Sequence, residues 1–174
     1  MQVEFDFPEA SGVLLRDATA GVIIRFLDSA AGGETMADAV ATPEENFFMV
    51  FSDDKPSSEG VNLISVDGAL ITKRQPNRLV RVHKHKMVGG SLALSGVRLD
   101  SVAHGKIVLY GLDVSIFAKM EDEDQRRANL YLVAKGNPTP AGKVILISLS
   151  GKKVLVDDDI RVRVYEGARV LLEL

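Results

Sequence analysis

Apolar residues in this chain come in short runs separated by polar or glycine-containing breaks, a rhythm that predicts strands rather than helices. Val3, Phe5 and Phe7 alternate with Gln2, Glu4 and Asp6 until Pro8, as a half-buried strand would. Further strand candidates cover 12–16, 21–28, 47–51, 61–66 and 69–73, the last two flanking Asp67-Gly68, a hairpin-turn dipeptide. After the break at Gln75-Pro76-Asn77, the stretch 79–99 reads as two β-rich runs around Gly89-Gly90. A tight hairpin there sets Met87 opposite Leu92, His85 opposite Leu94, Val82 opposite Val97 and Arg81 opposite Arg98. The last pair is repulsive, so a bulge or slip near Gly96 is expected. The longest apolar run, 106–120, reads as the next strand of the same antiparallel sheet. Strands at 130–134, 143–149, 152–156, 160–165 and 168–172 close the chain.

Between these runs lie longer polar stretches. Residues 29–41 (SAAGGETMADAVA) read as a loop, and Thr42-Pro43-Glu44-Glu45 as the capped start of a short helix. The segment 53–60 (DDKPSSEG) is a surface loop, and the acidic run 121–124 with Gln125-Arg126-Arg127 is a loop or one helical turn. About a dozen short strands at this spacing predict an all-β fold, an antiparallel β-sandwich or jelly-roll β-barrel with little helix. The long crossings favour a Greek-key or jelly-roll winding. The expectation is one β-barrel domain over residues 1–174, without an internal repeat.

Composition narrows the function classes. There is no cysteine, which removes disulfides, thiolate catalysis and Cys-ligated zinc. A net charge of −3 argues against a surface given over to nucleic acid, and no sequence-specific nucleic-acid partner is expected. The first residues, MQVEFDFPEA, lack the basic start and apolar core of a signal peptide, so a protein made in the cytoplasm and not secreted is expected. Apolar residues reach 46% although aromatics are only 6%. Several runs (13–15, 22–24, 47–51, 144–147, 170–172) are apolar on both faces of their strands, which calls for cover by the chain's own loops or by neighbouring subunits. An oligomer, at least a dimer contacting through strands near the termini, is the expectation. Asn and Gln are scarce, as in thermophilic proteins.

Candidate chemistry is sparse. His83 and His85, two apart on a strand, share a face and can hold one metal ion, with His104 as a third ligand if the fold returns it. A cupin uses such a pair, but then needs a Glu a few residues on, where this chain has Met87, Val88, Gly89 and Gly90. Packing among Leu and Met is the competing reading, and no metal or other cofactor is expected. The acidic runs 121–124 and 157–159 lack the pattern of an EF-hand loop and read as solvated turns. Basic residues (Lys73, Arg74, Arg78, Arg81, Lys84, Lys86) gather before and within the 79–99 stretch without interleaved aromatics. No nucleophile elbow or phosphate loop is present, so no enzyme is expected.

A cysteine-free, apolar, many-stranded chain of this length with long crossings resembles the single jelly-roll major capsid proteins, in particular the smaller coat protein of tailless icosahedral internal-membrane phages of thermophilic bacteria. The resemblance implies a virion shell subunit that assembles with itself and with a second, larger coat protein over membrane lipid, without catalysis. A β-sandwich module binding carbohydrate or another ligand is the alternative; the three Tyr and absence of Trp count against it. A cupin-like metalloprotein is the third.

Overall fold

The computed structural model describes residues 12–27, 47–52, 61–74, 77–135 and 139–173. The expectations at Val3 to Phe7, 29–41, the Thr42 cap and 53–60 lie outside them. Two antiparallel sheets form an all-β sandwich with two short helices. The first contains β1 (Val13–Leu14), β2 (Ile23–Phe26), β3 (Phe47–Phe51), β4 (Val61–Ser65), β5 (Leu70–Arg74) and β6 (Leu79–Val88) in the order β1-β6-β2-β3-β4-β5. The second contains β7 (Ser91–Leu92), β8 (Val97–Arg98), β9 (Ile107–Leu109), β10 (Leu130–Val133), β11 (Lys143–Ser148), β12 (Lys153–Asp157) and β13 (Arg161–Glu166), ordered β12-β11-β10-β9-β13-β7 with β8 also on β13. The last strand, β14 (Arg169–Glu173), pairs with β6 of the first sheet. Consecutive strands are therefore neighbours in each sheet (β2 to β5, β9 to β12), whereas a jelly roll sends consecutive strands to alternate sheets. Among the described residues β2 to β5 and β9 to β12 run as meanders, with β6 inserted between β1 and β2 and β13 between β9 and β7; this order does not show a jelly-roll winding.

The two sheets are copies of one another, so the expectation of no internal repeat is corrected. Gly12, Val13, Leu15, Gly21 and Ile23 recur as Gly96, Val97, Leu99, Gly105 and Ile107. Val61, Leu63, Ile64, Ser65 and Gly68 recur as Val144, Leu146, Ile147, Ser148 and Gly151, and Val80-Arg81-Val82 as Val162-Arg163-Val164. Strand registers repeat with them. Ile23 pairs with Met49 and His83 as Ile107 pairs with Leu132 and Tyr165. Val13 pairs with Val80 as Val97 pairs with Val162. A 3-10 turn follows the first strand in both copies, over Leu15–Asp17 and Leu99–Ser101, burying Leu15 and Leu99.

This duplication explains the runs that are apolar on both faces. On one face each sheet wraps its own core: Leu15, Ile24, Val50, Leu63 and Val80 in the first copy, Leu99, Val108, Val133, Leu146 and Val162 in the second. Even the ring pairs correspond, with Phe26 edge-on to Phe48 at 5.8 Å and Tyr110 edge-on to Tyr131 at 5.5 Å. On the other face the alternate residues meet in a core shared by both sheets, containing Ile23, Met49, Phe51 and Ile64 from one and Leu132, Ala134, Ile145 and Ile147 from the other. The second copy covers most of these strands, while Val13 and Leu171 stay exposed.

Reciprocal backbone bonds fasten the copies. Ser52 N–H donates to Gly151 at 2.8 Å, and its counterpart Lys135 donates to Gly68 at 2.8 Å. The strands approach so closely that a Cβ on Gly151 would lie 2.3 Å from Gly21 N, and one on Gly68 2.6 Å from Val133 O. Both glycines have φ of +90°, so the sequence can place nothing larger there without strain.

The Asp67-Gly68 hairpin forms as expected, with Ile64 opposite Leu70 and a bulge between Val61 and Leu63. The hairpin at Gly89-Gly90 does not. Both glycines take positive φ, but the chain there leaves the first sheet for the second. β7 pairs with β13, setting Leu92 opposite Tyr165, and β6 continues against β14, setting Met87 opposite Val170 and His85 opposite Leu172. The Tyr165 ring packs so near Gly90 that an added Cβ would lie 2.4 Å from it, and Tyr165 Oη donates to Gly89 O at 3.1 Å. Arg98 faces Arg161, not Arg81.

Residues 106–120 are also corrected. Only Ile107–Leu109 is strand; α1 (Val114–Lys119) follows, its first turn capped by Asp113 Oδ1 accepting from Ser115 N at 2.8 Å. The acidic run opens α2 (Glu123–Asn129), with Asp122 as cap. Both helices occupy the connection between β9 and β10.

Candidate functional site

His83 and His85 lie on β6 with side chains on one face, as the strand period requires, and both are buried. That face is turned inward. The His83 ring stands edge-on to Phe47 at 5.9 Å, and burial pushes its imidazole below the ordinary value, Arg81 and Arg25 pushing the same way. His104 is exposed in the turn before β9, on the other sheet. The fold does not bring it to the pair, and no group of three or more His, Asp or Glu that could hold a metal ion occurs among the described residues.

The acidic runs are used locally. Asp122 Oδ1 accepts from Asp124 N at 2.8 Å and Gln125 N at 3.2 Å, and Asp157 pairs with Lys143. The basic run is split. Arg78 is buried with its guanidinium 4.1 Å from the Phe26 ring centre, Arg81 shares the His83 face, and Lys84 and Lys86 point to solvent on the other face. No tyrosine offers an exposed stacking platform: Tyr131 and Tyr165 are buried and Tyr110 half-buried. No helix among the described residues is long and apolar enough to cross a membrane.

Open grooves among the described residues include the following pair. One, of about 480 Å³, runs between Gly21, Lys84, Lys86, Glu123 and Arg127. Its charges are mixed, and Arg127 is engaged by Asp124 and by the His85 carbonyl. The other, of about 710 Å³, lies in the second copy between Gly96, Tyr110, Gly111, Ile160 and Arg161. Beside it the loop 93–96 carries Leu94, 96% exposed. Two arginines of β13 hold this loop: Arg163 Nη1 donates to Ala93 O at 3.0 Å and also to Leu94 O, and Arg161 Nη1 to Gly96 O at 3.2 Å. Leu94 is thus a presented apolar side chain on a braced loop. Reading the chain as a hairpin hid it by assigning it a place opposite His85. The recurrence of Gly12-Val13 at Gly96-Val97 was the signal that could have found the loop.

Comparison with family models, curated proteins and solved structures gives no match to this chain.

Proposed function

We propose that this protein is a structural subunit that assembles with other protein chains, and that it performs no catalysis. The observation that carries the reading is the set of large apolar side chains still turned to solvent after two layers of core are complete. Val13, Leu27, Leu79, Val82, Leu94, Val97, Ile116, Leu155 and Leu171 are each more than a third exposed. Single exposed apolar residues are ordinary on any surface. Leu94 is not ordinary, because backbone-bound arginines hold it outward where a flexible loop would fold it down. A duplicated, doubly packed sandwich makes a rigid building block.

The most specific form of the reading is a virion coat subunit, working with a larger coat protein over lipid. It rests on chain length, composition and strand richness. The strand order does not show the jelly roll such proteins are expected to have, so the assembling role is the part of the proposal the geometry supports. Size-exclusion chromatography with light scattering tests it: a mass at least twice 18.8 kDa supports assembly. A monomer that binds a glycan array or retains stoichiometric metal moves the reading to a binding module or a metalloprotein.

A further inference from the structure

The duplication allows one copy to be read against the other, position by position, and the two differ sharply at one place. In the first copy Leu27 follows β2 and, although its outer side is 42% exposed, lays its inner side over Gly12, so near that a Cβ on Gly12 would lie 2.6 Å from Leu27 Cδ1. Its amide donates to Leu79 O at 3.1 Å, which holds the leucine in place. Gly111 stands at the corresponding position of the second copy, following Tyr110 as Leu27 follows Phe26. It has no side chain to lay over Gly96, the counterpart of Gly12. A Cβ on Gly96 meets only Val162 O at 3.6 Å and Arg161 Cβ at 3.8 Å, and one on Gly111 meets nothing within 4 Å. The groove of about 710 Å³ is the space this difference leaves open.

The first copy therefore shows what such a groove takes: a leucine side chain. In the second copy the exposed leucine that can provide one is Leu94, two residues before Gly96, which lines the groove. Its loop is tied down by Arg161 and Arg163, which also line the groove, and its side chain is turned to solvent rather than into the groove. A knob and a hole side by side on one surface form the self-complementary patch that a two-fold contact requires. Each copy's knob then enters the other's hole. The rim carries Arg161 and Asp113, opposite charges that a two-fold rotation can bring together. We infer that two molecules of this chain associate through the second repeat, Leu94 of each filling in its partner the groove that Leu27 fills in the first repeat. This inference rests on the assembling role proposed above and specifies the contact.

Two substitutions separate knob from hole. Leu94→Asp removes the knob at a fully exposed position and leaves the groove open. Gly96→Leu fills the groove: Gly96 is not among the positive-φ glycines and the contacts of an added Cβ are ordinary. Urea unfolding of both variants checks that the fold is retained. Sedimentation velocity over a concentration series should then show each variant alone associating at least about tenfold more weakly than wild type, as losing a buried leucine anchor at both ends of a contact implies. A one-to-one mixture keeps one intact knob-in-hole contact, the Gly96→Leu knob in the Leu94→Asp groove, so it should associate more strongly than either variant alone.

Failure is distinguishable from failure of the assembling role. Wild type that associates while Leu94→Asp associates equally well overturns this contact and leaves the role standing. Loss in Leu94→Asp with none in Gly96→Leu, or a mixture no stronger than its components, overturns the reciprocal groove. Wild type that stays monomeric throughout overturns both and gives the groove to another segment of the chain or to a different protein.

Discussion

Ser52 donates its amide hydrogen to Gly151 at 2.8 Å, joining the first copy of the fold to the second, and the same bond recurs in reverse between Lys135 and Gly68. Neither bond forms unless the strand ends approach to backbone contact, which only glycine permits. Gly151→Ala should destabilise the protein by about 3 kcal/mol or more, since positive φ and a backbone clash combine there. Gly68→Ala should resemble it. Gly142→Ala, with φ of +75° but nothing within 4 Å, should cost only the conformational strain of about 1–2 kcal/mol. Urea midpoints for the three variants measure this; equal losses at all three would mean the close approach contributes nothing.

Ser65 and Ser148 are buried and close the two equivalent turns. Ser65 Oγ accepts from Ala69 N at 3.1 Å and donates to Asp67; Ser148 Oγ accepts from Lys152 N at 3.0 Å and lies 2.8 Å from Ser150 Oγ. Alanine at either position should cost about 1 kcal/mol, because a bond is lost and a part-buried amide loses its serine acceptor. At Asp67 there is a further consequence. The Ser65 hydroxyl is the largest influence holding its carboxyl below 3.8, so Ser65→Ala should raise that pKa, read by NMR titration of the carboxyl. Asp67 contributes stability above 3.8 and loses it as pH falls through its native value; the variant should show less of this acid loss.

His83 has the opposite charge type and the same direction of pH effect. Its native pKa lies below 6.5, so below that value the unfolded chain binds the proton more readily than the folded one. Stability should therefore be fully present above pH 6.5 and decline as pH falls beneath it. Comparing the slopes of unfolding free energy between pH 5 and 7 for wild type and His83→Phe tests this. The substitution should flatten the slope whatever it does to the absolute stability, and an unchanged slope would assign the pH dependence to other groups.

The inward orientation of the His83 and His85 side chains, with His104 on the other sheet, makes these residues poor ligands. Purified protein should carry no stoichiometric transition metal by elemental analysis, and added zinc should not raise its melting temperature through them. A zinc-dependent rise abolished by His83→Ala with His85→Ala would contradict that geometry.

Local chemistry made part of the fold legible. The Asp67-Gly68 turn and the strands from 130 onward follow from alternation and turn residues that the chain keeps wherever it goes. Gly89-Gly90 shows where local chemistry stops deciding. Its glycines satisfy a tight turn, but the ring of Tyr165 beside Gly90 and the pairing of Leu92 with Tyr165 send the chain to the other sheet. These partners are far away in sequence. Residues 106–120 predict a strand because their apolar content masks the Asp113 cap inside them. The repeat is faint in the sequence because most of its identities sit at turn glycines and inward positions, such as Leu15 with Leu99, with few outward ones, such as Val13 with Val97. Missing the repeat also left the doubly apolar strands without their true cover. Leu94 and its groove become visible only once Leu27 and Gly111 are known to occupy the same place.

Sedimentation equilibrium of the purified chain from low to high micromolar concentration tests the assembling role most directly. The account predicts a weight-average mass that rises with concentration above 18.8 kDa, or already stands at a multiple of it. A mass of 18.8 kDa held across the whole range would contradict self-assembly and leave the exposed leucines of this surface without the partner assigned to them.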